Sequence, residues 1–289
     1  MKRVLRKFVS QLNGRNKYIF FVILALICIV ALSLSIYVQF FYKYSDTDPF
    51  MIGINIGAKK TAEECALLKS NFNQLFTNSV KINSDQTRVK KLENEKELIY
   101  TAYNLVNEDE TYYSVDAKIP IINIDTEAIN KINSEIKNEY YNKANSVMRQ
   151  TEGNTVYKVT YAGYINSDIL SIVIKSTLKE EGKSERVFIK TYNYSISQEK
   201  QVSLQDLITL KETTNEIVQN SINDEIKTAY ENAKIIANEY GTLYQRDLNS
   251  DIYKVENTSS YFLTDDGYVY IIYAYGNNDY TNEMDIVIF

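Results

Sequence analysis

The chain has 289 residues, 45% apolar, 24% charged and 12% aromatic, a globular composition with room for about two domains. It contains no histidine, which excludes Ser-His-Asp and Cys-His catalysis, His-ligated zinc and His proton shuttles. Two cysteines are too few for a disulfide framework, and the net charge of −5 argues against nucleic acid as a partner.

The first 17 residues carry Lys2, Arg3, Arg6, Lys7, Arg15 and Lys17 and no acid. Between Lys17 and Lys43 lie 25 residues without a charge. As a helix, 18–42 would reach about 37 Å, enough for a hydrocarbon core of about 30 Å. Tyr18, Phe20 and Phe21 at one end and Tyr37, Phe40, Phe41 and Tyr42 at the other match interfacial aromatic belts. Ala31-Leu32-Ser33 has the small-x-small form of a signal-peptidase site, but the apolar run continues to Phe41, as in an uncleaved anchor. The basic tail predicts a cytoplasmic N-terminus, a single membrane pass and residues 43–289 outside. That outer part carries −11.

Residues 43–96 are expected to form a juxtamembrane segment. It holds a possible strand at 50–57, a helix at 61–77 capped by Thr61, and a polar linker at 81–96. Cys65, Leu68, Phe72, Leu75 and Phe76 share a helical face, which predicts an interior cysteine. Residues 97–289 are expected to form an α+β extracytoplasmic domain. Strand-like runs at 97–106 and 112–123 are split by Asn107-Glu108-Asp109-Glu110, and Pro120 marks an edge or strand end. A helix follows at 126–150, with Ile129, Ile132, Ile136, Tyr140, Ala144 and Val147 on one face. Runs at 155–165, 169–178 and 186–196 are joined too tightly for parallel crossovers and predict an antiparallel meander. A second helix spans 213–240, with Gly241 as its stop. Strands near 261–264, 268–275 and 284–289 close the chain, and Asp265-Asp266-Gly267 is a hairpin turn signal. The expected fold is an antiparallel sheet with packed helices, behind one N-terminal transmembrane helix.

Three stretches carry a family resemblance: the helix start Ala128-Ile-Asn-Lys-Ile-Asn-Ser-Glu-Ile136, the link Glu199-Lys-Gln-Val-Ser-Leu-Gln-Asp-Leu207, and Ser260-Tyr-Phe-Leu-Thr-Asp-Asp-Gly267 before the last strands. Over 97–289 the chain resembles the extracytoplasmic domain family of the anti-sigma-V factor RsiV, a domain that also precedes the catalytic part of the peptidoglycan deacetylase PdaC. The resemblance implies a binding or sensing module on the outer face of a Gram-positive-type cell envelope, not a catalytic one. A 17-residue basic tail leaves no folded sigma-binding segment, and no His-bearing deacetylase domain follows. The family's Asn-Pro-Tyr-Glu-type stretch stands here as Tyr273-Ala-Tyr-Gly-Asn-Asn-Asp279, so the resemblance assigns no ligand contact.

Candidate sites are few. Adjacent Asp265 and Asp266 diverge in a turn and do not make a glycosidase pair. Asp46 and Asp48, and Glu108 to Glu110, lack the rest of a calcium loop and read as solvated acids. Tyrosine density near the C-terminus offers the best binding surface: Tyr268 and Tyr270 on one face of a strand, Tyr273 and Tyr275 on the other, with Asp279 beyond. Cross-strand packing, for which tyrosine is also favoured, is the stronger reading of the same residues. No catalytic residue, metal or cofactor is expected. The sequence favours a membrane-anchored, non-enzymatic binding or sensing domain for a cationic secreted protein or a cell-wall glycan. A carboxylate-based cell-wall enzyme and a structural subunit of a membrane complex are the alternatives.

Overall fold

A computed structural model of the chain describes residues 61–83, 89–240, 244–277 and 281–289. The membrane segment expected at 18–42, the strand at 50–57 and the Gly241 stop lie outside them. Among the described residues no helix is long and apolar enough to cross a membrane.

The fold is α+β. Helix α1 (Ala62–Ser70) begins with a Thr61–Glu64 capping box, in which each side chain accepts from the other residue's backbone N–H. It ends before a short 3₁₀ turn at Phe72–Leu75. Strands β1 (Val80–Ile82), β2 (Ile99–Asp109), β3 (Tyr113–Ile122), β4 (Thr155–Asn166), β5 (Ile169–Glu180), β6 (Arg186–Ser195) and β7 (Lys200–Gln201) form one seven-stranded sheet. Its order is β2-β3-β4-β5-β6-β7, with β1 paired to β4. The predicted meander is there as β4-β5-β6, antiparallel throughout.

The sheet as a whole is mixed, not antiparallel. β3 and β4 run parallel because helices α2 (Glu127–Ile136) and α3 (Asn142–Val147) carry the chain across between them. β1 is also parallel to β4, next to its C-terminal half. Pro120 lies where β3 pairs only with β2, since the β3–β4 ladder stops at Ala117, so its missing N–H deprives no neighbour. β1 starts at Val80 and runs into the stretch expected to be a linker at 81–96. Val80 packs half-buried against the core while Lys81 and Ile82 are exposed, and one inward side chain in three residues is too short a pattern to announce a strand.

α2 and α3 are one helix interrupted by a π turn over Lys137–Tyr141. At the turn the Asn142 N–H donates to the Lys137 carbonyl, and the Asn145 side chain donates to the Tyr141 carbonyl at 2.8 Å. The helix buries Ile129, Ile132, Ile136, Tyr140, Ala144 and Val147 against Val115, Tyr157, Val159 and Tyr161 of the sheet. Asn133 clamps the end of β3, accepting from the Ile122 N–H at 2.8 Å and donating to its carbonyl at 2.9 Å.

The opposite face of the large sheet meets a second, three-stranded antiparallel sheet: β8 (Tyr261–Leu263), β9 (Val269–Ala274) and β10 (Met284–Ile288), in the order β10-β9-β8. Ala162, Tyr164 and Val173 pack there against Phe262, Tyr270, Ile272 and Ile286, and Phe72 joins them from the α1 side. Helices α4 (Leu204–Leu210) and α5 (Asn215–Tyr240) cover the far face of the small sheet, with Leu207, Val218, Ile222 and Ile226 on Val269 and Ile271. The layers therefore run helix, sheet, sheet, helix. α4 is an additional helix within the link, started by a Ser203–Asp206 capping box that the Val-Ser-Leu-Gln-Asp run spells out.

Candidate functional site at the C-terminal hairpin

Strand β9 alternates as its sequence predicts, and both of its faces are interior. Tyr268 and Tyr270 point toward the large sheet, Tyr273 and Tyr275 toward α4 and α5. All four are buried, the most open being Tyr273 at 8%. Tyr270 stacks on Phe262 with ring centres 4.9 Å apart, and Phe262 stacks on Tyr164 at 5.5 Å. Lys211 caps Tyr268, donating to the Gly267 carbonyl at 3.0 Å with its ammonium 5.6 Å from the ring. The Tyr273 hydroxyl meets Thr258 at 3.1 Å, and its ring lies edge-on to Tyr253. As folded, none of the four offers a ring face to a ligand. A two-sheet core with helices beyond it buries both sides of β9, and period-2 alternation alone cannot distinguish that from one buried and one open face. Asp279 lies outside the described residues.

Asp265 and Asp266 do form a turn. Thr264 Oγ1 contacts Asp266 at 2.5 Å, and Gly267 has φ of 88°, the left-handed region glycine takes most cheaply. Cys65 is half-exposed on a helix with no buried residue, so the interior setting expected for it is not found. The shared face of 61–77 is divided by the helix end at Ser70, yet Phe72 is buried in the core and Leu68, Leu75 and Phe76 pack against it half-buried.

Tyr275 belongs to a polar cluster that the sequence did not assemble, since Arg246 stands 29 residues before it with no spacing motif between. Arg246 is 6% exposed. It donates to Asp285 and Glu283 and, through Nη1 at 2.8 Å, to the Tyr244 carbonyl. Asp285 also accepts from the Tyr275 hydroxyl at 2.5 Å, and that hydroxyl lies 3.0 Å from the Tyr253 hydroxyl. The Tyr244 ring stacks on Tyr275 at 4.5 Å. Burial alone would lower the Arg246 pKa, but Asp285 and then Glu283 outweigh it and hold the guanidinium charged. Burial, followed by the Asp285 carboxylate, drives the Tyr275 phenol far above its ordinary value. A phenol held neutral and a guanidinium held charged have no proton to exchange near neutral pH. The cluster fastens the segment at 244–246 to β10.

Accessible chemistry lies on the other side of the molecule. An open groove of about 410 Å³ runs beside the π turn, lined by Tyr141, Asn142, Asn145, Ser146 and Arg149. The half-buried Tyr141 ring sits 4.6 Å from that of Tyr103 on β2, and Lys137 lies 5.8 Å from both rings. Amides, a guanidinium and an aromatic ring suit a polar ligand such as a sugar. A second open concavity lies at the start of α2, between Thr126, Lys131 and Glu199. Among the described residues no cluster of acids and cysteines could hold a metal.

No family model and no curated protein matches the sequence. Solved structures that are similar in part include two DUF3298 family proteins. One is a DUF3298 family protein from Pseudomonas aeruginosa PAO1, 16% identical, with 63% of this chain and 83% of that chain covered at a TM-score of 0.37. The other is a DUF3298 family member from Bacteroides fragilis, 10% identical, with 61% and 80% covered at a TM-score of 0.33.

Proposed function

We propose that the chain is a single-pass membrane protein displaying an α+β binding or sensing domain outside the cell, with no catalytic role of its own. The observation that carries this reading is the charge asymmetry about residues 18–42: six cations and no acid before an uncharged run of 25 residues, and a net −11 after it. The chemistry of the folded part supports binding over turnover. Tyr275, Asp285, Glu283 and Arg246 are occupied with one another, while the groove beside Tyr141 offers polar contacts to a glycan or protein partner.

Protease added to intact cells tests the topology. Residues 43–289 should be degraded and an N-terminal tag spared. A C-terminal domain that survives until the cells are lysed overturns the reading.

A further inference from the structure

We infer that the outer edge of β2 is a docking site for an extended, lysine- or arginine-rich segment of a partner protein, which would add to the large sheet as a further strand. Among the described residues β2 is the terminal strand of that sheet and pairs on one side only, with β3 from Ile99 to Asp109. The N–H and C=O groups aimed away from β3 meet no backbone partner among the described residues. At the other edge, β6 is met by β7, by the Ser260 hydroxyl on the Ile189 carbonyl and by the Tyr261 N–H on Thr191.

Natural proteins usually blunt an exposed edge with lysine, proline or a bulge. β2 has one bulge, between Thr101 and Tyr103, and beyond it a regular run to Asp109 with no lysine and no proline. Val106 in that run is 68% exposed. Charge then selects the occupant. Residues 93–116 contain seven acids and one cation, Lys96. The acids gather at the two ends of β2: Glu93, Glu95 and Glu97 before it, Glu108, Asp109 and Glu110 at its finish. Asn107, Glu108 and Asp109 continue the strand instead of forming the loop their composition predicts. Asp109 accepts from the Thr111 and Tyr112 N–H groups, and Glu108 and Glu110 are exposed and make no ion pair with another of the described residues. A second copy laid antiparallel about Tyr103 would set Asp109 against Glu97 and Glu110 against Lys96, and a parallel copy would set each acidic end on itself. Direct like-charge pairs oppose the parallel copy, the excess of acids over 93–116 disfavours a second acidic edge in either direction, and the same charges favour a basic strand. Main-chain bonds would supply affinity and alternate side chains specificity.

The test uses the full chain in detergent and a labelled nine-residue peptide alternating Lys with Val or Thr. The expected result is saturable binding, slowed amide exchange over residues 103–109, and a loss of about tenfold or more when every second peptide N–H is methylated, which removes pairing donors and keeps the charge. The double variant Glu108→Lys, Glu110→Lys should bind the peptide more weakly, and a Glu-for-Lys peptide should not bind. Equal affinity for the methylated peptide, or unchanged exchange over 103–109, overturns strand addition, and neither readout depends on a variant that folds. A chain that dimerises through this edge, seen as exchange protection of 103–109 that rises with its own concentration, overturns the choice of partner. The inference rests on the binding-domain reading, but the peptide assay is indifferent to membrane sidedness. A domain found inside the cell overturns that reading alone, and an outside domain that ignores the peptide overturns this one alone.

Discussion

Arg246 grips Asp285 through two parallel hydrogen bonds, Nε to Oδ2 at 3.0 Å and Nη2 to Oδ1 at 2.9 Å, with both side chains about 5% exposed. A bidentate pair this deep is costly to split, because the surviving charge keeps its desolvation cost without its partner. Arg246→Met or Asp285→Leu alone is expected to destabilise the domain by about 3–5 kcal/mol in urea unfolding. Replacing both with apolar residues should cost clearly less than the sum of the two. Additive losses would show that the pair is not coupled.

The four tyrosines of the last hairpin now carry a stability prediction. Tyr270→Ala opens a hole between Phe262 and Phe72, and Tyr275→Ala also strands the Tyr253 hydroxyl and removes one of the donors to Asp285. Each should lower stability by about 3–5 kcal/mol, the range for deleting a buried aromatic. Tyr141→Ala, in the open groove, should cost far less in the same assay. A stable Tyr270→Ala domain that loses ligand binding would return the hairpin to the binding face.

Much of this architecture is legible in the sequence because local rules and tertiary context agree there. The stripe from Ile129 to Val147 names the helix and its buried face, Asp265-Asp266-Gly267 names a turn, and the short links at 166–168 and 180–186 fix an antiparallel meander. What was hidden is what depends on a second layer. The alternation of Tyr268 to Tyr275 is the same whether one face or both are covered, and covering the second needed α4 and α5. Arg246 met Asp285 only through the path of the chain after α5, which no periodicity encodes. The parallel pairing of β3 with β4 was implicit in a helix lying between two strands. The edge status of β2 was not, because it depends on what fails to pair with it.

Alkaline pH should unfold the domain through its phenols. The chain has 25 tyrosines, and burial pushes Tyr192, Tyr253 and Tyr273 up to about 12. Tyr100 also rises to about 12, through burial and then its hydrogen bond to Glu93. Tyr157, Tyr164 and Tyr270 go higher through burial. Unfolded tyrosine ionises near 10, so the unfolded chain releases protons first as pH rises. Stability is therefore full below about pH 10 and falls as pH climbs from there through the raised folded values. Phenolate absorbance should rise in two stages, exposed tyrosines near pH 10 and the rest together with loss of circular dichroism. A single smooth titration that precedes unfolding would contradict this.

Gly276 supplies the sharpest single-atom test. A Cβ built there would lie 2.2 Å from the Val187 carbonyl oxygen and under 3 Å from that residue's backbone C and N. The obstruction is main chain in β6, so no rotamer change relieves it. The small sheet would have to separate from the strand it leans on. Gly163 offers a comparison within the same fold: its added Cβ would meet the Cδ1 of Ile99 at 2.7 Å, the free end of a side chain in the packed core. Gly276→Ala is expected to cost about 3 kcal/mol or more and Gly163→Ala about 1 kcal/mol, the upper and lower parts of the range for overpacking. Urea midpoints measured side by side decide it. Gly276→Ala no worse than Gly163→Ala would mean that the hairpin and β6 are not held at the separation described here.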